Sequence, residues 1–192
     1  MTEKEKRDRG LLYNPATDPE LISELMRAKD ICFKLNATLP SDTAKRREII
    51  SELFGEIKAE ACVISPFQCD YGYNIRVGEN FFVNHNCVIL DAAPVTFGDN
   101  VFIAPDCGFY TAEHPINIEK RNVGLETCKP ITVGNNVWIG GGVRVLAGVT
   151  IGDDTVIGAG SVVTSDIPSG VIAFGNPCRV YREPDESELG KR

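Results

Sequence analysis

Two histidines, His85 and His114, supply the imidazoles of this chain. Histidine titrates near neutral pH, so each can take the proton of a hydroxyl as its oxygen attacks an electrophile. His114 is the better placed for such work. It stands in TAEHP, where a regular repeat breaks into a long irregular stretch, and a group on such a loop can reach a cleft. His85 is the fifth residue of FFVNHN, inside the repeat, and suits a site wall or the surface better than a second base. Asn84, beside it, carries an amide able to hydrogen-bond a ligand hydroxyl or a developing oxyanion. It occupies a place where small residues recur, so tolerance of a backbone corner is the competing explanation. The seven cysteines are scattered and form no C-x-x-C pair. That pattern fits reduced structural thiols in a cytoplasmic compartment rather than a disulfide frame or a zinc site.

The elements that must position these groups follow from a period of six. From Ile131 to Asp166 the text reads ITVGNN VWIGGG VRVLAG VTIGDD TVIGAG SVVTSD without a slip. The third residue of each six is aliphatic: Val133, Ile139, Val145, Ile151, Ile157, Val163. The fourth is glycine at Gly134, Gly140, Gly152 and Gly158. Six residues make neither whole α-turns nor a heptad, but they suit a solenoid whose short strands turn a corner at each repeat. The third residue then points into a narrow core, and the small fourth residue is expected to let the backbone bend. Three sixes close one triangular coil, with coils roughly 4.8 Å apart. The repeat begins earlier, at IRVGEN from Ile75, takes an extra Ala93-Pro94, and resumes at VTFGDN. It vanishes over residues 113–130 and returns at Ile131.

Before the repeat, Asp18-Pro19 reads as an N-cap and first helical residue. Leu21, Ile22, Leu25, Met26, Ala28 and Lys29, then Cys32, Phe33 and Leu35, give an apolar stripe near helical period that ends at Leu39-Pro40. A second helix follows a cap at Ser41 or Asp42, with Ile49, Ile50, Leu53, Phe54 and Ile57 on its buried face. Residues 1–58 are expected to form a helical cap on one end of the solenoid, residues 59–183 the solenoid itself with loop 113–130, and residues 184–192 a polar tail. The first ten residues, mostly charged, are expected to be loose. A net charge of −7 argues against nucleic-acid binding. No apolar run approaches the ~20 residues that span a bilayer, and MTEKEKRDRG has no hydrophobic signal region.

The repeats, the TAEHP loop, the NNVWIGGGV run and the closing FGNPCRV together resemble the maltose and galactoside O-acetyltransferases, which are hexapeptide-repeat acyltransferases. FQCDYGYNI leans toward the maltose branch. The resemblance covers nearly the whole chain. It implies a left-handed parallel β-helix, acetyl-CoA as donor, a sugar hydroxyl (a primary 6-hydroxyl) as acceptor, and a homotrimer with active sites between subunits. His114 matches the family's catalytic histidine and Asn84 an active-site asparagine. Asp70, Asp91 and Glu126 resemble sugar-contacting positions, where carboxylates suit hydroxyl groups. The galactoside branch differs at the places of Asp70 and Glu126, which leaves the identity of the sugar open.

For the donor, the resemblance points to Trp138 as a flat wall and to Gly141 and Ala159 as corners that leave backbone free for pantetheine. Thr164 and Ser165 follow one coil further on, and Arg179 and Arg182 serve the nucleotide phosphates. Tyr71, Tyr73 and Phe82 offer stacking faces for a sugar, or packing within the fold. No metal is implied: hexapeptide-repeat zinc sites need three histidines, and this chain has two. A covalent acetyl-cysteine route is the rival to direct attack. Other acceptors (a galactoside, serine, an antibiotic, an amino sugar) and a non-catalytic repeat scaffold are the alternative functions.

Overall fold

Each hexapeptide supplies one short strand and one corner. In the computed structural model, which describes residues 1–185 and 187–188, these stack as a parallel β-solenoid with three faces. Glu186 and residues 189–192 of the expected tail lie outside the described residues. The first face carries strands Ile75–Val77, Val95–Phe97, Ile131–Val133 and Thr150–Ile151, with Glu56–Ile57 at its lower edge. The second carries Ala61–Val63, Phe81–Val83, Phe102–Ile103, Trp138–Ile139, Val156–Ile157 and Ile172–Gly175, finished by the antiparallel strand Cys178–Arg182. The third carries Phe67–Cys69, Cys87–Leu90, Gly108–Tyr110, Arg144–Val145 and Val162–Val163.

Register shows how the sixes add up. Trp138 pairs with Val156, eighteen residues on, so three sixes make one coil. Ile75 pairs with Val95, twenty residues on, because Ala93-Pro94 adds two. Val95 pairs with Ile131, thirty-six residues on, so the loop inserts a full coil's length of chain without changing phase. The third-position aliphatics are buried throughout, and Phe97 meets Phe81 at 5.0 Å and Phe109 at 5.1 Å in the middle of the core. Burying side chains of this size stabilises by roughly 1.5–3 kcal/mol each.

The corners work differently from the expectation. The left-handed backbone falls at the sixth residue, not the fourth: Asn80, Asn86, Asn100, Asp106, Asn136 and Asp154 all have φ between 53° and 63°. Asparagine and aspartate tolerate that region best after glycine. The sixth-position side chains also bond from coil to coil, with Asn80 Nδ2 donating to Asn100 Oδ1 at 3.1 Å and Asn100 Nδ2 to Asn136 Oδ1 at 2.9 Å. The fourth-position glycine is needed for close approach instead. A Cβ on Gly98 would lie 2.7 Å from the backbone of Gly134 in the next coil.

The lower end is covered by helices. The first residues are not loose: α1 (Glu3–Asp8) has a Thr2–Glu5 capping box and buries Arg7. α2 (Pro19–Ala37) is capped by Asp18, whose carboxylate accepts from Glu20 and Leu21 N–H, and it buries Leu21, Ala28, Ile31, Cys32 and Leu35. Ile22, Met26 and Phe33 face solvent instead. α3 (Thr43–Leu53) starts at Asp42. Its buried Arg46 donates to Leu35 O, Thr38 O and Val63 O, which ties both helices to the first coil.

Loop 113–130 has structure of its own. Ala112–Glu113 pairs antiparallel with Thr127–Cys128 at its base, and α4 (Ile118–Asn122), capped by Asn117, forms its tip. Lys129 and Glu113 add an ion pair at 2.9 Å.

Candidate active site

The third face is flanked by two corners, and the candidate residues divide between them. His114 lies at the corner joining the third face to the first, just beyond the strand Ala112–Glu113. Its Nδ1 is 3.2 Å from Leu125 O. A carbonyl only accepts, so Nδ1 carries the proton and Nε2 of the neutral ring is left with its lone pair. That Nε2 is 3.7 Å from Glu126 Oε1, and the imidazole is about half exposed. The other carboxylate oxygen, Glu126 Oε2, accepts from Tyr13 OH at 3.1 Å. Burial raises the Glu126 carboxyl above its ordinary pKa, opposed by the Tyr13 bond and by the charge His114 takes when protonated.

Asp70 and Asp91 belong to the same corner lower down. Asp70 pairs with Lys29 of α2 at 3.1 Å. Asp91 is enclosed, at 0 % exposure, and its Oδ1 accepts from the backbone N–H of Asp70 at 3.0 Å and Tyr71 at 2.8 Å. Its Oδ2 has no hydrogen-bond partner. Burial pushes its pKa up to about 6. The geometry therefore gives Asp91 the work of holding the turn that presents Asp70. Tyr71 is buried beneath the Arg7 guanidinium at 4.9 Å, and Tyr73 donates its hydroxyl to Glu24 at 2.6 Å, so these rings are committed to packing.

Asn84 lies at the other corner, between the second and third faces, as the backbone pairing of Asn84 N–H with Ile103 O requires. It is absent from the left-handed residues, so backbone geometry does not demand an asparagine there. Its Oδ1 accepts from His85 N–H at 2.8 Å, and His85 Nδ1 meets Ser65 O at 2.6 Å. Gly141 and Ala159 continue the same edge upward: Gly142 N–H donates to Pro105 O and Gly160 N–H to Gly141 O. A Cβ on Gly141 would come no closer than 3.5 Å to any neighbour, and one on Gly160 would meet nothing within 4 Å. The edge is open backbone that an amide-bearing chain fits. Trp138, 57 % exposed, stands on the second face immediately before it, in register between Phe102 and Val156.

Two donor-site expectations need adjustment. Thr164 and Ser165 do not lie above the glycines on that edge; six residues advance the chain by one face, so they fall at the corner His114 uses. Arg179 lies on the final strand, with Nη1 bonded to Cys178 O at 2.7 Å. Arg182 spends its guanidinium on both oxygens of Glu188, at 2.6 and 2.7 Å, so a phosphate there must displace that carboxylate. Cys87, the cysteine nearest a histidine in sequence, is buried, and its thiol donates to Ala104 O at 3.4 Å; it is poorly placed for covalent catalysis.

Sequence reasoning passed over Tyr13 and Arg7. Both are buried against the loop corner, in a small cluster with Leu21, Tyr71, Ala92, Ala93 and Cys128 around Tyr13. No local pattern marks LLYNP, because its partner Glu126 is 113 residues away.

Comparison with known proteins sets this geometry in a family. The maltose acetyltransferase hexapeptide capping motif matches residues 6–58, and the bacterial transferase hexapeptide motif of six repeats matches residues 130–165. A Staphylococcus aureus (strain MRSA252) protein named as a putative acetyltransferase is 54% identical, covering 96% of this chain and 93% of its own length. The chain belongs to the maltose and galactoside acetyltransferase family of hexapeptide-repeat enzymes. A maltose O-acetyltransferase from Clostridium difficile 630 superposes with a TM-score of 0.94 at 49% identity, over 97% of this chain and 99% of that one. A galactoside acetyltransferase in complex with coenzyme A gives a TM-score of 0.95 at 42% identity, over 100% and 95% of the two chains. The solenoid is accordingly the family's left-handed β-helix.

Proposed function

We propose that this enzyme transfers the acetyl group of acetyl-CoA to a hydroxyl, the 6-hydroxyl, of maltose, glucose or a related sugar, with His114 as general base. The observation that carries the reading is the state of the imidazole: Nδ1 is committed to Leu125 O, and the free Nε2 faces a carboxylate at 3.7 Å. Nε2 takes the hydroxyl proton as the sugar oxygen attacks the thioester carbon. The C–S bond breaks when the tetrahedral intermediate collapses, and the proton passes from the imidazolium to the leaving thiolate. Glu126 opposes the positive charge that the ring carries between those events. Asn84 is the proposed oxyanion donor; its Oδ1 is engaged by His85 N–H, and its Nδ2 is the group that donates to the oxyanion.

A single chain keeps His114 and Asn84 on different corners, so the reading requires a second copy. A homotrimer with each site between two subunits meets that need. Two exposed apolar surfaces support it: Phe102 and Trp138 on the second face, and Ile116, Ile118 and Val123 at the loop tip. In such an assembly Thr164, Ser165 and the Gly141 edge can flank one coenzyme from two subunits. The first face, with Thr96, Thr132 and Thr150 in one outward row, stays in water.

Release of free thiol from acetyl-CoA tests the reading over maltose, glucose, a galactoside, serine and chloramphenicol, with His114→Ala beside the wild type. Turnover on maltose or glucose that collapses in the variant is expected. Turnover confined to serine or chloramphenicol would overturn the sugar assignment but keep the base, and no turnover at all would favour a scaffold.

A further inference from the structure

We infer that Tyr13 is a positioning residue for His114, acting through Glu126, an inference that rests on His114 being the base. Tyr13 lies in the extended segment between α1 and α2 and is fully buried. Three hydrogen bonds join it to Glu126. Tyr13 N–H donates to Glu126 O at 3.0 Å, Glu126 N–H donates to Tyr13 O at 2.9 Å, and the phenol donates to Oε2 at 3.1 Å. Beside it, Asn14 Nδ2 donates to Val123 O at 2.8 Å. The N-terminal segment is thus a strap across the loop that carries His114, bridged antiparallel to residue 126.

The strap matters because of what a glutamate does when left alone. Its carboxylate swings on a flexible stem, and fixing it in one rotamer costs entropy. The phenol holds Oε2, and that leaves Oε1 directed at Nε2 of His114, 3.7 Å away. Burial and the negative charge of Asp70 both favour protonation of Glu126, while Tyr13 and His114 favour the carboxylate. A neutral Glu126 offers the imidazolium no counter-charge. Packing alone does not call for tyrosine here, since a phenylalanine ring would fill the space among Leu21, Tyr71, Ala92, Ala93 and Cys128. The hydroxyl must be satisfied once buried, and the partner it has is the carboxylate that faces the base.

Tyr13→Phe removes that hydroxyl and keeps the ring and both backbone bonds. The experiment measures kcat, both KM values, the pH profile from 5.5 to 9 and the Tm of this variant, of Glu126→Gln, of the double variant and of His114→Ala. The expected kcat of Tyr13→Phe is about tenfold below wild type, the scale of one hydrogen bond to a charged group, with the KM for acetyl-CoA unchanged. The acidic limb of its profile should move to higher pH, because Glu126 then keeps its proton further up the scale. The double variant should be no slower than Glu126→Gln alone, as expected of two groups acting along one path. A lowered Tm with wild-type kcat and pH profile would make Tyr13 purely structural and overturn the inference. So would multiplicative losses in the double variant. Full turnover in His114→Ala would overturn the base assignment and the inference with it, whereas collapse there beside an unaffected Tyr13→Phe would overturn the inference alone.

Discussion

His114 Nε2 and Glu126 Oε1 stand 3.7 Å apart, too far for a hydrogen bond and close enough for an ion pair. If His114 is the base, its neutral ring is not tied up before the reaction, and the contact gains strength only when the ring takes a proton. Such an interaction favours the transition state over the ground state, which is what raises kcat. His114→Ala is expected to lower kcat by about 10²–10⁴-fold, the usual contribution of a positioned base. Glu126→Gln keeps the shape and removes the charge, so its loss should be smaller, about tenfold or more, and weighted to kcat. Steady-state thiol release checks both; a Glu126→Gln enzyme with unaltered kcat and a raised acceptor KM would make Glu126 a sugar ligand and nothing more.

Asp91 predicts an unusual pH dependence of stability. In the folded chain, burial holds its proton until about pH 6, against an ordinary value of 3.8. Between those values the native state binds more protons than the unfolded chain, so its stability falls as pH rises through that window. The full effect is on the order of 3 kcal/mol. Asp91→Asn keeps an oxygen for the Asp70 and Tyr71 N–H groups and removes the titration. Its Tm should fall less than that of the wild type between pH 4 and 7, leaving a residual slope of the same sign from Glu126. Parallel curves from calorimetry would contradict this.

Gly98 and Gly141 occupy neighbouring places in the repeat yet should respond oppositely to a methyl group. A Cβ at Gly98 falls 2.6 Å from Asn135 Oδ1 and 2.7 Å from the backbone of Gly134, and that backbone cannot retreat without opening the stack. Gly98→Ala should therefore cost about 1–3 kcal/mol, as overpacking of a rigid interior does. At Gly141 the nearest atom is Pro105 O at 3.5 Å, and the backbone is not left-handed. Gly141→Ala should leave the Tm unchanged and raise the KM for acetyl-CoA. Denaturation midpoints and substrate titrations separate the two; equal Tm losses would mean that open space at position 141 is not what the glycine provides.

The solenoid was legible in the sequence because its determinants are local and repeat every six residues. Val133, Ile139 and Val145 announce the same core position, and even the extra Ala93-Pro94 appears as a break in phase. The corner rule was harder to see. Glycine at the fourth place suggested a bend, yet the bend sits at the sixth, where Asn100 and Asn136 adopt positive φ and bond to each other. Periodicity marks a position as special without saying whether conformation or proximity makes it so. The site was legible only in part. His114 stood out where the pattern failed, but Tyr13 meets Glu126 across 113 residues, and Arg182 is taken up by Glu188. Contacts between irregular segments leave no period to detect.

Separation of His114 and Asn84 onto different corners of one chain makes subunit complementation decisive. If each site takes its histidine from one copy and its asparagine from the next, a His114→Ala chain and an Asn84→Ala chain are each inactive alone. Unfolded together and refolded as a mixture, they assemble at random, and about one quarter of the interfaces then pair an intact histidine with an intact asparagine. The mixture should recover up to that share of wild-type turnover, whereas a site built within one chain recovers none. Ile116→Asp, at the exposed loop tip, supplies the physical control. A charge in an apolar interface should shift the sedimentation coefficient toward the monomer and lower the activity per chain in step. Full activity in a monomeric Ile116→Asp enzyme would return both residues to a single subunit and require the loop to close over its own third face.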